Sequence, residues 1–192
     1  MYSLLILAAG ESRRMGKDIK QLLPFGKHSL LEHVLLKFLN IPLISERIVV
    51  LGSSIESIVP IKPPSFKIVV NKNYKKGMTS SLKIGLSAVK KSNHLIFMPF
   101  DYPLLKKATI ESLIRHHKTN SGKIIMPSYK MKKGHPVIFD RVFLNELSRV
   151  SPKRGAREVI LKNSESIVYV PTSSIGVLLD IDTPLDYRNT CN

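Results

Sequence analysis

The stretch Tyr2–Pro24, YSLLILAAGESRRMGKDIKQLLP, decides how this chain is interpreted. It opens with the apolar run Leu4–Ala9, whose length and composition predict a strand buried on both faces of a parallel sheet. The run ends at Gly10, and the loop that follows carries four basic residues, Arg13, Arg14, Lys17 and Lys20. Because glycine lets the backbone approach a ligand closely, and because exposed N–H groups and cationic side chains bind anions, the stretch predicts a phosphate-binding loop.

The glycine spacing excludes two common phosphate-binding motifs. A P-loop needs a shorter gap between its glycines, followed by Lys and Ser or Thr, whereas here five residues separate Gly10 from Gly16 and Asp18 follows Lys17. The dinucleotide-binding pattern Gly-x-Gly-x-x-Gly is also absent from the stretch. A strand that ends in a basic, solvated turn therefore stays open as the simpler interpretation.

The rest of the chain alternates strand-like and helix-like segments. Ser29 and Glu32 have the spacing of a capping box, and apolar residues then recur at helical spacing to about Asn40. A strand, a helix and a second strand in this order predict a parallel crossover. Further strands are predicted at 48–52, 66–70, 94–98, 123–127, 137–139, 167–170 and 177–179, a short helix within 53–65, and helices that begin near Thr79 or Ser80, Ile110, Phe143, Ser151 and Thr183.

Six short motifs follow one another along the chain. They are Leu7-Ala8-Ala9-Gly10-x-Ser12-x-Arg14-Met15-Gly16, Asn73-x-x-x-Gly77-Met78-x-x-Ser81-Leu82-x-x-Gly85, Asp101-x-Pro103, Gly134-His135-Pro136, Arg154-Gly155-Ala156-Arg157 and Asp180-Ile181-Asp182-Thr183-Pro184. Each motif is weak alone, but with all six in this order the chain resembles the MobA-like nucleotidyltransferases, and within them the molybdenum cofactor cytidylyltransferase branch. The resemblance implies an α/β protein with a three-layer, Rossmann-like nucleotide-diphospho-sugar transferase fold, in which helices cover both faces of a mostly parallel, twisted sheet.

The resemblance also implies roles for individual residues. The nucleotide would be bound by Leu7, Ala8, Ala9, Gly10, Ser12, Arg14, Lys20, Gly77, Ser81 and Asp101, of which Arg14, Lys20 and Asp101 would be catalytic. A Mg²⁺ cofactor would be held by Asp101 and Asp182. The acceptor would be bound by Gly134, His135, Arg154, Arg157 and Asp180, with Asp180 as a supporting or alternative metal ligand.

Two departures from the family pattern affect these assignments. Lys20 stands four residues after Gly16, one more than the family usually has, so Lys17 is the alternative for the lysine role. Tyr102 is an unusual middle residue in the Asp-x-Pro motif. Purely structural interpretations also stay open: a helix cap for the hydroxyls after Gly77, and a packed imidazole for His135.

The implied reaction transfers a nucleoside monophosphate from a nucleoside triphosphate to a phosphorylated acceptor and releases pyrophosphate. The Ala8-Ala9-Gly10 sequence favours CTP, and the branch implies molybdopterin or molybdenum cofactor as the acceptor, with a molybdoenzyme or a maturation factor as a further partner. Guanylyl transfer, transfer to a sugar phosphate, and a degenerate protein that only binds nucleotide stay as alternatives.

Composition limits the remaining possibilities. With 192 residues, of which 43% are hydrophobic, the chain predicts a single domain over 1–192. The single cysteine, Cys191, excludes an intrachain disulfide, and the absence of a long apolar run predicts no membrane span, so a cytoplasmic location is expected. The formal charge of +16 makes a basic RNA-binding module the alternative from another class, although scattered basic residues and an aromatic content of 7% disfavour nucleic acid as a partner.

Overall fold

An eight-stranded sheet forms the centre of the fold in the computed structural model, which describes residues 1–52, 55–58, 63 and 65–191. Its strands are β1 (Tyr2–Ala8), β4 (Ile44–Leu51), β5 (Lys67–Val70), β6 (His94–Pro99), β7 (Ile124–Tyr129), β8 (Lys132–Lys133), β9 (Val137–Phe139) and β10 (Ile167–Pro171). The spatial order is β10-β7-β9-β6-β1-β4-β5, and β8 pairs with β7 at one end. Two further short strands, β2 (Pro24–Phe25) and β3 (His28–Ser29), form a separate hairpin.

Most neighbouring strands in this sheet are parallel. β1 pairs in parallel with β4 on one side and β6 on the other, β4 with β5, and β7 with β10. Two strands are exceptions: β9 runs antiparallel to both β6 and β7, and the short β8 runs antiparallel to β7. The predicted mostly parallel sheet is confirmed.

Helices cover both faces of the sheet, and β1 shows why. All seven of its residues are buried, and successive side chains point to opposite faces, so that Leu4 and Ile6 enter one core while Leu5 and Leu7 enter the other. The helices are α1 (Leu30–Leu36), α2 (Ile55–Ile58), α3 (Met78–Leu86), α4 (Lys107–Thr119), α5 (Leu144–Arg149), α6 (Ala156–Lys162) and α7 (Pro184–Cys191). Residues of α1 and α4 pack in the first core and residues of α3, α5 and α6 in the second, so the three-layer α/β architecture is confirmed.

Helix boundaries differ from the sequence-based predictions in three places. The Ser29 cap is confirmed, because its Oγ accepts a hydrogen bond from the Glu32 amide at 3.2 Å, but α1 ends at Leu36 rather than near residue 40. α3 begins directly after Gly77, and neither Thr79 nor Ser80 caps it. The helix predicted to begin near residue 151 starts at residue 156, after Gly155 reaches a positive φ of 52°.

The strand predicted at 177–179 is wrong. Residues Ile175–Val177 form a 3-10 turn and an irregular segment follows. The backbone of Gly176 packs on that of Leu104 with no room for a Cβ, and the Val177 carbonyl accepts a hydrogen bond from the His135 amide at 2.9 Å. The apolar residues of this segment therefore make local packing contacts and do not pair in the sheet.

The parallel strands bring their carboxyl ends to one edge of the sheet. The glycine-containing loop leaves β1 there, and Asp101 follows β6 at the same edge. The Ile181 amide donates to the Asp101 carbonyl at 2.9 Å, which brings the C-terminal segment alongside. Within the part of the chain that the structure describes, no helix has the length and apolar character needed to cross a membrane.

Candidate active site

A cleft of about 380 Å³ opens at this edge of the sheet, and we call it the loop cleft. Its walls come from four parts of the chain: the β1 end and its loop, the start of α3, the β6 end, and the C-terminal segment. The predicted site residues among those that line it are Leu7, Ala9, Gly10, Ser12, Arg14, Lys20, Gly77, Ser81, Asp101 and Asp182. Ala8 does not line it, because its side chain points to the opposite face of β1 and is buried in the core.

Gln21 holds the loop in shape, a role that the sequence analysis missed. Its side chain is buried, and its Nε2 donates to the carbonyls of Ala8 at 2.8 Å and Gly10 at 3.2 Å. Ser12 lies in the left-handed region at φ 56°, where its Oγ accepts from the Lys20 amide at 3.1 Å and donates to the Gln21 Oε1 at 3.3 Å. These bonds fix the curvature of the backbone around the place where an anion would bind.

Lys20 lies at the bottom of the loop cleft and contacts two carboxylates. Its Nζ is 2.8 Å from Asp101 Oδ2 and 3.2 Å from Asp182 Oδ1, and it also donates to the Ile181 carbonyl at 2.8 Å. Its side chain is only 9% exposed, so these contacts are shielded from water. Lys17, the alternative, is exposed, and the structure therefore places Lys20 and not Lys17 at the carboxylates.

Arg14 approaches the same carboxylates from the solvent side. One of its guanidinium nitrogens is 2.8 Å from Asp182 Oδ2, while its side chain is 71% exposed. Its neighbour Arg13 turns away and pairs with Glu11 at 2.8 Å. Of these two arginines, Arg14 is therefore the one whose charge faces the carboxylates.

Asp101, Asp180 and Asp182 form a group whose carboxylate oxygens lie within 4.8 Å of one another. Asp180 is exposed, but partial desolvation and the charges of Asp101 and Asp182 raise its pKa. The second oxygen of Asp101, Oδ1, is buried and has no hydrogen-bond partner among the described residues. Converging carboxylates with an unpaired buried oxygen fit a hard divalent cation, which prefers oxygen ligands.

The start of α3 forms the wall opposite the carboxylates. Gly77 has a φ of 94°, a backbone conformation that favours glycine, and Ser81 is buried at the cleft surface. Asn71, which the sequence analysis also missed, donates to Ser80 Oγ at 2.8 Å and to Ser81 Oγ at 2.9 Å. This amide fixes the serine hydroxyls and with them the first turn of the helix.

A second cleft of about 540 Å³ adjoins the first, and we call it the hairpin cleft because the β7–β8 hairpin forms one side. Gly134, His135, Arg154 and Arg157 all line it, so the structure brings four of the five predicted acceptor residues together. The fifth, Asp180, lies instead with the carboxylate group described above. Met78 contributes to both clefts and forms their shared wall.

His135 lies on the inner wall of the hairpin cleft beside Tyr102. The two ring centroids are 5.0 Å apart, and the imidazole Nδ1 is buried without a hydrogen-bond partner among the described residues. Burial lowers the pKa of His135 to about 4, although the charge of Asp101 and a backbone hydrogen bond with Phe97 oppose the shift. Burial also raises the pKa of Tyr102, and Asp180 adds to that effect. Both rings are therefore neutral near pH 7.

The turn that carries Arg154 and leads into α6, where Arg157 lies, is fastened to α3. Thr79 Oγ1 donates to the Pro152 carbonyl at 2.9 Å, and a Cβ on Gly155 would lie 2.9 Å from that same hydroxyl oxygen. Gly155 is thus required both by its positive φ and by the close approach of α3. As a result, Arg154 and Arg157 are held at the mouth of the hairpin cleft.

Such a sheet, with a cationic glycine-containing loop facing carboxylates at its carboxyl edge, defines a class of enzymes that act on phosphorylated nucleotides. The MobA-like NTP transferase domain matches residues 4–167, and the chain belongs to that family. It is therefore a nucleotidyltransferase. Family membership, predicted from the six motifs, is confirmed.

Three relatives illustrate the similarity. Nicotine blue oxidoreductase of Paenarthrobacter nicotinovorans is 28% identical over 189 residues, covering 93% of this chain and 90% of that protein. Rv0371c of Mycobacterium tuberculosis is 25% identical, with a TM-score of 0.86 over 99% of this chain and 96% of that one; a manganese complex of the same protein has a TM-score of 0.80 at 23% identity, covering 99% and 97%. A nucleotidyl transferase of Methanothermobacter thermautotroptrophicus is 18% identical, with a TM-score of 0.81 over 100% and 96% of the two chains.

Proposed function

We propose that this protein transfers a nucleoside monophosphate from a nucleoside triphosphate, with CTP favoured, to a phosphorylated acceptor, and that it works as a single catalytic domain over residues 1–192. The nucleotide occupies the loop cleft and the acceptor occupies the hairpin cleft. The observation that carries this proposal is the contact of Lys20 Nζ with both Asp101 and Asp182. It joins the loop after β1, the end of β6 and the C-terminal segment in one site of cations and carboxylates.

The loop supplies positive charge where the phosphates of the substrates bring negative charge together. Arg14 and Lys20 bind the triphosphate, and backbone amides within residues 10–16, other than that of Met15, which donates to the Ser12 carbonyl, hold its oxygens. An acceptor phosphate oxygen attacks the α-phosphorus and forms a new P–O bond, while the bond from the α-phosphorus to the bridging oxygen breaks and pyrophosphate leaves with that electron pair. Because the acceptor phosphate is already ionised, the step needs alignment and charge neutralisation rather than a strong general base.

The carboxylate group holds the divalent cation in this proposal. Asp101 and Asp182 are the ligands, Asp180 is the supporting ligand, and the unpaired Oδ1 of Asp101 is the donor that supports the assignment. Mg²⁺ suits such carboxylates together with phosphate oxygens, and it neutralises charge on the phosphates when bound. The manganese complex of Rv0371c is a reason to test Mn²⁺ beside Mg²⁺.

The hairpin cleft suits an anionic acceptor that also has an apolar part. Lys133, Arg154 and Arg157 give it positive charge, while Leu82, Phe97 and Val137 line its inner surface. A phosphorylated pterin such as molybdopterin has both features, and the resemblance to the cytidylyltransferase branch supports it. That a molybdoenzyme or maturation factor receives the product stays a prediction. GTP as the donor and a sugar phosphate as the acceptor are the alternatives for the same type of reaction.

One relative supports a second candidate from another reaction class. Nicotine blue oxidoreductase is similar over nearly the whole chain, and its name describes redox chemistry. The convergence of three carboxylates with Arg14 and Lys20 favours nucleotidyl transfer, because the cationic side chains bind phosphate and the carboxylates suit a divalent cation that neutralises it. A redox assay with nicotine blue as the substrate is the comparison that separates the two candidates.

The nucleotide is tested first, with a thermal-shift panel of the four ribonucleoside triphosphates with Mg²⁺ or Mn²⁺. A triphosphate that binds only the folded form raises the midpoint of thermal unfolding. At a concentration a hundredfold above its Kd, it adds about 2.7 kcal/mol to the free energy of unfolding. Arg14→Ala should abolish the shift, and Arg13→Ala is the matched control because that side chain faces Glu11. Equal effects of the two variants would contradict the assignment.

Turnover is tested by pyrophosphate release with molybdopterin and sugar phosphates as acceptors. CTP-dependent release that Asp101→Asn abolishes supports the proposal. Redox turnover without pyrophosphate release supports the second candidate, and tight, steeply salt-dependent RNA binding without turnover supports a binding module.

A further inference from the structure

A second cluster of potential ligands lies at the opposite edge of the sheet from the two clefts. His94 begins β6, His117 lies in the last turn of α4, and Asp140 directly follows β9. Because β9 is antiparallel to β6 with Leu95 opposite Phe139, the register sets Asp140 beside His94. The proposed catalytic residues do not include any member of this cluster, so its chemistry needs a separate explanation.

The distances within the cluster resemble those of a metal site more than those of hydrogen bonds. Asp140 Oδ2 is 3.4 Å from His94 Nδ1 and 3.5 Å from His117 Nε2, and the three ligand atoms lie within 4.8 Å of one another. Strong hydrogen bonds to a carboxylate are shorter, at about 2.7–2.9 Å. In a tetrahedral site with bonds of about 2.0–2.1 Å, neighbouring ligand atoms are about 3.3–3.4 Å apart, close to the spacing observed here.

His117 carries a buried nitrogen that makes no close hydrogen bond. Its side chain is 3% exposed, and its Nε2 faces Asp140 Oδ2 at 3.5 Å, a distance too long for a strong hydrogen bond. The other ring nitrogen, Nδ1, is 3.0 Å from the hydroxyl of Tyr2. A histidine metal ligand typically has its second nitrogen hydrogen-bonded in this way, which fixes the orientation of the ring.

The carboxylate of Asp140 is fixed independently of the histidines. Its Oδ2 accepts from the Gly122 amide at 2.9 Å and its Oδ1 from the Val142 amide at 3.1 Å. The Arg141 amide approaches His94 Nδ1 at 3.3 Å, and a cation there must displace this long contact.

An opening beside the cluster leaves room for a further ligand. A cavity of about 240 Å³, bordered by both histidines, Tyr2 and Lys118, connects it with solvent. A water molecule or a small anion from solvent fits there as the fourth ligand of a tetrahedral centre.

We propose that His94, His117 and Asp140 form a zinc-binding site that is separate from the carboxylate group of the loop cleft. Two imidazoles and one carboxylate suit a borderline ion such as Zn²⁺, whereas the three aspartates of the loop cleft suit Mg²⁺. The ion would join the start of β6, the end of α4 and the segment after β9. Such a cross-link lies at the opposite edge of the sheet from the proposed reaction, and it would stabilise the packing of these three elements.

The test is a Zn²⁺ titration of the full chain in competition with a chromophoric chelator. Millimolar Mg²⁺ is included to occupy the loop-cleft carboxylates, and Cys191→Ser removes the exposed thiol as another Zn²⁺ ligand. We expect one tight equivalent in this background. Tyr2→Phe removes the hydrogen-bond partner of a ligand and should weaken Zn²⁺ binding by roughly 10–100-fold. His94→Gln removes a ligand itself and should weaken binding by more than that.

His116→Gln is the matched control, because His116 is on the same helix but is exposed and outside the cluster. Thermal unfolding without Zn²⁺ checks that each variant folds, and His94, at the rim of the cluster, is the first choice for substitution. Co²⁺ in place of Zn²⁺ should give the intense visible absorption of a tetrahedral centre. The proposal is overturned if the background protein binds no Zn²⁺, or if His94→Gln and His116→Gln bind it equally.

Discussion

Replacing Lys20 by methionine tests the charge balance of the loop cleft. The variant keeps the length and packing of the side chain but removes the cation between Asp101 and Asp182, as well as the hydrogen bond to the Ile181 carbonyl. Removing one partner of a fully buried ion pair costs about 3–5 kcal/mol. Here Asp101 is 14% and Asp182 30% exposed, so solvent screening reduces the expected loss to about 2–3 kcal/mol. For a chain of this size that corresponds to a fall in Tm of about 4–12 °C.

The pH and metal dependence of this loss identify its cause. Without the lysine the negative charges of the carboxylates repel one another at neutral pH, and acid removes that repulsion, so the penalty should shrink as the pH falls. Mg²⁺ or Mn²⁺ should restore much of the loss by replacing the missing positive charge.

The assay is thermal unfolding of wild type and Lys20→Met at several pH values, with and without the divalent cation. Lys17→Met is the matched control, since Lys17 is exposed in the same loop and its loss should change stability by no more than about 0.5 kcal/mol. A Lys20→Met penalty that is the same at neutral and acid pH and does not respond to metal would refute the reasoning, because it would then reflect packing alone.

Three further predictions concern neighbouring groups. Gln21→Ala removes the bonds that close the loop and should lower the free energy of unfolding by about 2–4 kcal/mol and weaken triphosphate binding, as measured by urea denaturation and calorimetry. Asp180→Asn removes one of three mutually repelling carboxylates, so it should increase Tm at neutral pH by a small amount, because Asp180 is exposed, and reduce the stabilisation by Mg²⁺; a lower Tm would contradict this. The pKa of His135 is lowered from 6.5 to about 4, so the unfolded chain takes up the proton first and stability falls as pH drops through that interval. His135→Gln should remove up to about 3 kcal/mol of that acid-induced loss, and an unchanged pH profile in urea denaturation would argue against it.

Local patterns in the sequence predicted the sheet well because burial on two faces leaves a clear signature. The apolar run of β1 and the later runs of β4 and β6 are strands, and their parallel pairing brings the glycine loop and Asp101 to one edge. The position of Asp182 followed from the family resemblance, since no local pattern relates residue 182 to residue 101. The tertiary contact through the Ile181 amide is what joins them.

Other features depend on tertiary contacts that a linear pattern does not contain. The segment at 177–179 has strand-like composition but is held as a turn by His135 and Leu104. Gln21 appears in the sequence as an ordinary polar residue, and only its burial shows that it closes the loop. His94 and Asp140 meet because β9 reverses direction beside β6, and nothing in the local sequence predicts that pairing.

The hydrogen bond between Thr79 and the Pro152 carbonyl joins the two clefts mechanically. The first turn of α3 borders the loop cleft, whereas the segment it grips carries the arginines of the hairpin cleft. A shift of the first turn of α3 on nucleotide binding is therefore expected to reach the segment that carries the arginines. Thr79→Val removes this hydrogen bond and should reduce any effect of bound nucleotide on the affinity for the acceptor.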